Sequence, residues 1–258
     1  MLAEERRQKV LELVSRKGFV ALKDLARDID VSESTIRRDV EYWDDKRLLR
    51  HTRGGAVYVG GGGLPPLDER TGMQLREKQA VARLAASLIQ EGDSVLLDGG
   101  TTTLEVARLL VGKNVQVVTN SLPIAALFAS RHEADLVLLG GYIYPRTGVA
   151  LGPNTVRMLE DLHVQQAFLS VGGITEKGLF NSNLLLVETE RQMMRSADQV
   201  VVVADHSKVG RPALAFLCEL ATIDTLVVDD ALTDSQRRLL EGADGVRVLL
   251  APLEEEQA

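Results

Sequence analysis

VSESTIRRDVEYWDDKRLLRHTRGGA, residues Val31 to Ala56, decides how the front of the chain is read. Ser32 is a favourable N-cap, because its hydroxyl can accept from a free amide of the first turn. Ile36, Val40 and Trp43 then recur at i, i+4 and i+7, which puts three apolar groups on one helical face. Ser34, Thr35, Arg37 and Arg38 are left on the other faces, near the positive end of the helix dipole. Short hydroxyls and guanidinium forks are the groups that meet phosphates and guanine edges in a major groove. From Leu48 to Val59, Arg50, His51 and Arg53 surround Gly54-Gly55, a tight-turn signal, so a β-hairpin with a basic tip is expected. Taken alone, an apolar stripe beside two arginines is commonly an ordinary surface helix. Asp39, Glu41, Asp44 and Asp45 also dilute the positive charge. The neighbouring segments carry the decision.

Upstream, Val10, Leu13 and Val14 give a first helix its buried edge, and Gly18 ends it. Phe19 and Val20 suit a short strand. Leu22, Leu25, Ala26 and Ile29 form a second stripe at i, i+3, i+4 and i+7, and Asp30-Val31 makes the turn into the third helix. Three helices followed by a basic hairpin make a winged helix-turn-helix, with Ser32, Ser34, Thr35, Arg37, Arg38, Arg50 and Arg53 as its expected contacts to double-stranded operator DNA. Gly60-Gly61-Gly62-Gly63-Leu64-Pro65-Pro66 joins floppy glycines to stiff prolines and reads as a linker. The expected domains are therefore 1–59, DNA-binding, and a larger body at 67–258, joined by 60–66.

Charge agrees with that division. The chain of 258 residues has a formal net charge of -7, which argues against nucleic acid binding over its whole surface. Residues 1–60 carry 13 Lys and Arg against 11 Asp and Glu, and the remainder 17 against 26, so a slightly basic head precedes an acidic body. Cys218 is the only cysteine. It lies in the apolar run LAFLCEL and is expected in a core. The four histidines are scattered, and neither a metal site nor a cofactor is expected. No apolar run approaches the ~20 residues of a membrane span, and the start, MLAEERRQKV, lacks a signal-peptide core. The expected location is cytoplasmic.

After the linker, Glu69 to Gln90 reads as one long helix. Strand-like runs at Ser94–Leu97, Val115–Thr119, Leu136–Leu139, Ala167–Val171, Gln199–Ala204, Thr225–Val228 and Val246–Leu250 then alternate with helical stretches. Near-continuous Val/Leu strands alternating with helices point to an α/β body with a mostly parallel sheet covered on both faces. Ligands of such folds sit at the carboxyl ends of the strands, where this sequence turns polar and glycine-rich. The first strand ends in Asp98, Gly99, Gly100, Thr101, Thr102 and Thr103. There glycines would let the backbone approach a ligand and a helix N-terminus would favour an anion, so a phosphate is the natural guest. Neither GxxxxGK[ST] nor GxGxxG is matched, so a nucleoside triphosphate or a dinucleotide is not indicated. Other strand ends bring Asn120, Gly140, Gly141 and Gly172. Lys208, in DHSK, and Arg146, in YPRTGVALGP, are candidate cations for a phosphate or an acidic sugar.

The run GFVALKDLARDIDVSESTIRRDVEYWDDKRLLRHTRGGA, with TIRRD at Thr35–Asp39 and RxxRGGA at Arg50–Ala56, resembles the N-terminal signature of the DeoR family of bacterial transcriptional regulators. Trp43 is a departure, since the family more often has leucine there. DGGTTT, TNS, GG, ALGP, VGGI and ADHSKVG, in that order, extend the resemblance over nearly the whole chain. The resemblance implies a sensor related in fold to ribose-5-phosphate isomerase, with a phosphate cradle at Gly100–Thr103. It implies sugar contacts near Asp98, Asn120, Gly141 and Gly172, and a ligand-facing Lys208. It further implies a repressor of a sugar-catabolic operon, induced by a phosphorylated sugar. A dimer or tetramer is expected, because paired half-sites multiply affinity.

Two other classes compete. A sugar-phosphate isomerase needs a base and acids to move a proton between neighbouring carbons. Those enzymes carry DGADE where this chain has Ser170-Val171-Gly172-Gly173-Ile174, so both aspartates are missing. Glu190 stands where their base does, although a carboxylate on a helix is more simply a surface or structural group. An architectural DNA-binding protein whose body only oligomerises would have no need of polar strand ends.

Overall fold

Apolar periodicity closes the front of the chain over one small core. The computed structural model describes residues 3–17, 19–46, 48–52, 54–58, 67–131, 133–144 and 147–253, in two units, 1–64 and 65–258. In the first unit α1 (Ala3–Lys17), β1 (Phe19–Ala21), α2 (Leu22–Ile29) and α3 (Glu33–Asp45) precede a hairpin of β2 (Leu49–Thr52) and β3 (Gly55–Tyr58). Val10, Val14, Leu25, Ile36, Val40 and Leu49 are fully buried together. Asp30 closes α2 in the left-handed region at φ 59°, and Ser32 opens α3 by accepting from the Thr35 amide at 3.2 Å. β3 pairs antiparallel with both β1 and β2, which ties the hairpin to the helices. The linker residues 60–66, Arg53 and Arg146 lie outside the described residues, and so does the side chain of Arg50.

Two polar contacts lock α3 onto α1. Asp39, 1% exposed, accepts from Nε and Nη2 of Arg6 at 2.6 and 3.1 Å and lies 3.4 Å from Arg7 Nε. The indole of Trp43 donates to the Arg7 carbonyl at 2.8 Å, a bond that leucine at this position could not make. Asp44 accepts from the His51 amide at 2.8 Å and so anchors the hairpin to α3.

The second unit begins with a correction. The expected single helix from Glu69 to Gln90 is two, α4 (Leu67–Gly72) and α5 (Leu75–Ala86), separated at Gln74, which is left-handed at φ 51°. The cause is Lys78. It shares the apolar face of α5 with Val81 and Ala85 and is 4% exposed. A buried ammonium needs acceptors, and the break supplies them: Lys78 Nζ donates to the Arg70 carbonyl at 2.5 Å and to the Met73 carbonyl.

The unit continues with β4 (Ser94–Leu97), α6 (Thr101–Leu110), β5 (Gln116–Thr119), α7 (Leu122–Phe128), β6 (Asp135–Leu138), β7 (Tyr142–Tyr144), β8 (Val149–Leu151) and α8 (Pro153–Glu160). Next come β9 (Val164–Ser170), β10 (Gly173–Thr175), β11 (Gly178–Asn181), α9 (Leu184–Arg195) and β12 (Ala197–Ala204). It closes with β13 (Ala215–Cys218), β14 (Thr225–Asp229), α10 (Asp234–Glu241) and β15 (Arg247–Ala251). Seven of the strands form one parallel sheet in the order β15-β14-β12-β9-β4-β5-β6. Alternation of side chains sorts its two faces. Val95 and Leu97 pack with α5, α6 and α7, whereas Leu96 packs with α8, α9 and α10. The chain runs outward from β4 through β5 and β6 on one side, then returns to β9 and runs outward on the other. The order therefore reverses between β4 and β9, where an open α/β sheet has its ligand crevice. β7 and β8 form a hairpin, and β10, β11 and β13 a small antiparallel sheet. The sequence reading did not anticipate these short strands.

Asp39 generates a prediction. Replacing it by alanine leaves two arginines without their carboxylate and should cost the first unit about 1.5–3 kcal/mol. Trp43 is the only tryptophan, so denaturant unfolding followed by its emission reports on that unit. Arg38→Ala, at an exposed position of the same helix, should leave the midpoint unchanged. Equal midpoints for Asp39→Ala and wild type would contradict the assignment.

Candidate functional site

On the first unit, the start of α3 is a polar exposed surface. Ser32, Ser34, Arg37 and Arg38 are exposed and Thr35 is half-buried. Ser32 Oγ lies 2.9 Å from Ser34 Oγ and 2.8 Å from Thr35 Oγ1, a connected row of hydroxyls. Two of the four acids that dilute the charge in the sequence are engaged elsewhere: Asp39 is neutralised underneath by Arg6, and Asp44 holds the hairpin. The arginines therefore stand on a surface less acidic than the composition of α3 suggests.

On the second unit, the reversal between β4 and β9 brings together residues far apart in sequence. Asp98 follows β4, Asn120 follows β5, Ser170 ends β9, Asn181 ends β11 and Glu190 lies on α9. Glu190 is expected as a surface or a structural carboxylate; it is fully buried, which removes the first of these readings. It accepts from Asn181 Nδ2, while its Oε2 is buried without a hydrogen-bond partner. Asp98 Oδ1 and Asn120 Oδ1 are in the same condition, although Asn120 Nδ2 donates to the Ala150 carbonyl at 3.1 Å. Burial pushes the Asp98 carboxyl up from 3.8 to about 6, against the opposing pull of the Gly99 and Ser170 amides, Arg70 and Asn120. Burial also holds Glu190 well above the usual carboxylate range, and the charge of Asp98 adds to the effect.

Cations gather beside these carboxyls. Burial lowers Arg70 to about 10, with Asp98 and Tyr144 opposing, and its Nε and Nη2 are buried without a partner. Burial lowers Lys78 to about 8; Asp205 opposes this, while Lys208 and Arg70 add to it. Lys208, half-buried, is lowered by the same cause, with Asp205 opposing and Arg70 and Arg211 adding to it. Neighbouring cations that depress one another are a common feature of functional sites.

The glycine-rich turn plays a different part from the expected one. A Cβ on Gly99 would stand 1.9 Å from Val149 Cγ1, and one on Gly100 would stand 1.9 Å from Ser170 Oγ. These glycines admit neighbouring side chains rather than a ligand. The Thr103 hydroxyl is already engaged, accepting from the Gly100 amide at 2.8 Å and donating to the Gly100 carbonyl at 3.0 Å. Thr101 and Thr102 are buried in the first turn of α6. Gly172 sits against the Asn181 backbone and so joins the Asp98 group. Gly140 and Gly141 do not join it: with Asn154, Arg157, Met158 and Asp161 they line a separate cleft of about 460 Å³. Gly141 packs on Thr155 and Leu151.

Arg70, Lys78 and Asn181 were missed from the sequence. A charged residue in register with Val81 and Ala85 was the available signal for Lys78; Arg70 and Asn181 had none. Among the described residues, no three His, Cys, Asp or Glu are placed to hold a metal ion, and no helix is long and apolar enough to cross a membrane.

The buried carboxyl makes stability fall as pH rises. Below about pH 4 Asp98 is protonated whether the chain is folded or not. Between pH ~4 and ~6 the unfolded chain gives up that proton more readily, and above ~6 the folded state carries a buried charge. Asp98→Asn removes this cost and should stabilise the protein at pH 7.5 by roughly 1–3 kcal/mol, with the gain vanishing near pH 4. Thermal unfolding from pH 4 to 8 measures it. A variant less stable than wild type at pH 7.5 would contradict the reading.

Comparison with known proteins agrees with both units. Residues 6–60 match the DeoR-like helix-turn-helix domain, and residues 73–230 match the DeoR C terminal sensor domain. The uncharacterized HTH-type transcriptional regulator YulB of Bacillus subtilis (strain 168) is 30% identical over 98% of this chain and 98% of its own. The glycerol-3-phosphate regulon repressor of Escherichia coli (strain K12) is 29% identical over 89% of this chain and 92% of its own. Among solved structures, ribose 5-phosphate isomerase A from Methanocaldococcus jannaschii is 22% identical over 51% of this chain and 52% of that one, with a TM-score of 0.37. With a helix-turn-helix match in front of a sensor-domain match that spans more than half the chain, the protein belongs to the DeoR family of transcriptional regulators.

Proposed function

We propose that this regulator represses a sugar-catabolic operon, reading its operator through the start of α3 and the β2–β3 hairpin, and that a phosphorylated sugar bound between the ends of β4 and β9 releases it. The observation that carries the ligand half is the set of buried polar oxygens without partners: Asp98 Oδ1, Asn120 Oδ1 and Glu190 Oε2. Buried acceptors of this kind are costly unless donors reach them, and sugar hydroxyls are donors. Lys208 and the first turn of α6 offer positive charge for the phosphate. The Escherichia coli relative is a repressor whose regulon is named for glycerol 3-phosphate, a phosphorylated polyol, which supports the same ligand class.

A sensing rather than a catalytic role fits the residues better. Glu190 is held by Asn181, and Ser170 and Gly173 occupy the strand end where the isomerase has acids, so a base stands there without the partners that proton transfer requires. A dimer or tetramer suits paired operator half-sites.

Arg37→Ala or Arg38→Ala should cost about 1–3 kcal/mol in operator affinity if the side chain reads a base edge, with specificity relaxed at one position. Gel shifts in which both variants bind like wild type would contradict this use of α3. Release requires that the ligand favour the DNA-free state. In Lys208→Ala, operator affinity should be retained while release by the sugar phosphate that dissociates the wild type fails. Equal release from both proteins would remove Lys208 from the switch.

A further inference from the structure

Two arginines in this protein can be compared edge for edge. Arg6 grips the Asp39 carboxylate with its Nε and Nη2, at 2.6 and 3.1 Å. This planar fork is suited to two oxygens of one anion. Arg70 presents the same two nitrogens, Nε and Nη2, and both are buried with no hydrogen-bond partner. The anionic group that acts on it most strongly is Asp98. Two buried donors held in this way cost stability and form no hydrogen bond within the chain. Such an arrangement belongs to a group prepared for something that arrives later.

The carrier of Arg70 is equally informative. α4 is the first element among the described residues after 60–66, and the carbonyls of Arg70, on α4, and of Met73, just after it, are held by the buried Lys78 ammonium across the left-handed Gln74. A non-glycine residue rarely adopts that region, because its Cβ crowds the backbone there. The junction is thus anchored at its carbonyls, strained at its turn, and aimed at the site by its arginine.

We propose that the Nε–Nη2 edge of Arg70 seats two oxygens of the effector's phosphate, and that occupancy tightens the α4–α5 junction, which opens the second unit. The inference rests on the proposed anion site and adds a residue and a route to it. Lys208 supplies mobile charge, whereas Arg70 supplies geometry, because only a fork can distinguish a two-oxygen partner from a point charge.

Inorganic phosphate is the probe, compared with chloride at equal ionic strength. Wild type should melt at a higher temperature in phosphate, and amides of residues 69–75 should exchange more slowly. In Arg70→Gln the apparent phosphate affinity should fall about tenfold or more. Its melting temperature in chloride should equal or exceed that of wild type, since a buried unpartnered charge has been removed. Arg70→Lys, which keeps the charge and loses the fork, should also bind phosphate more weakly than wild type. An unchanged phosphate response in Arg70→Gln would overturn the proposal alone, as would a variant markedly less stable in chloride, the mark of a structural arginine. Phosphate binding to wild type with no slowing at residues 69–75 would overturn the route through α4. No response of wild type to phosphate would overturn the anion site itself, and this inference with it.

Discussion

The second unit depends on a cost: Asp98 and Glu190 are buried at the place where the strand order of the sheet reverses, and neither finds enough partners within the chain. Parallel strands bring their carboxyl ends to one edge, and reversal of the order between β4 and β9 parts the connections above that edge. Apolar side chains fill both faces of the sheet, so polar residues at the strand ends meet one another rather than water. The hydrogen bond from Asn181 to Glu190, and the opposing pull of the Gly99 and Ser170 amides on Asp98, offset part of the expense. The rest is left as raised carboxyl pKa values and lowered lysine and arginine values within one site. Opposite shifts in neighbouring groups are what a site built to receive a polar, anionic guest would store.

The first unit solves a different problem with the same chemistry. α3 needs acids to balance its arginines, yet acids on the exposed side would repel a phosphate backbone. Asp39 resolves this by turning inward to Arg6, where its charge holds α3 to α1 and leaves Arg37 and Arg38 outside. Trp43 adds a bond from its indole to the Arg7 carbonyl on the same inner face. One buried pair thus holds the helix in place and removes one acid from its outer surface.

Legibility followed the range of the forces. Apolar spacing made α2 and α3 readable, because Leu25, Ile36 and Val40 are placed by local periodicity alone. The Val/Leu runs of β4, β5, β9, β12 and β14 were readable for the same reason, and the site's edge followed from their alternation with helices. Gly99 and Gly100 were placed in the right turn with the wrong cause, since their demand for space comes from Val149 and Ser170, distant in sequence. Arg70 and Glu190 lie on helices whose local pattern says nothing about what faces them, and only the packing of α4 and α9 buries them. The break at Gln74 was hidden because the acceptors of Lys78 form only when the break does. β7, β8 and β10, each of three residues, are too short to leave a period in the sequence.

The buried polar set at the β4–β9 reversal is proposed to receive a phosphorylated sugar. A thermal-shift panel pairing phosphorylated pentoses, hexoses and glycerol with their unphosphorylated counterparts tests it most directly. One or more phosphorylated members should raise the melting temperature, while the matching free sugar or glycerol should not. Equal shifts from both members of every responding pair, or no shift from any, would contradict it.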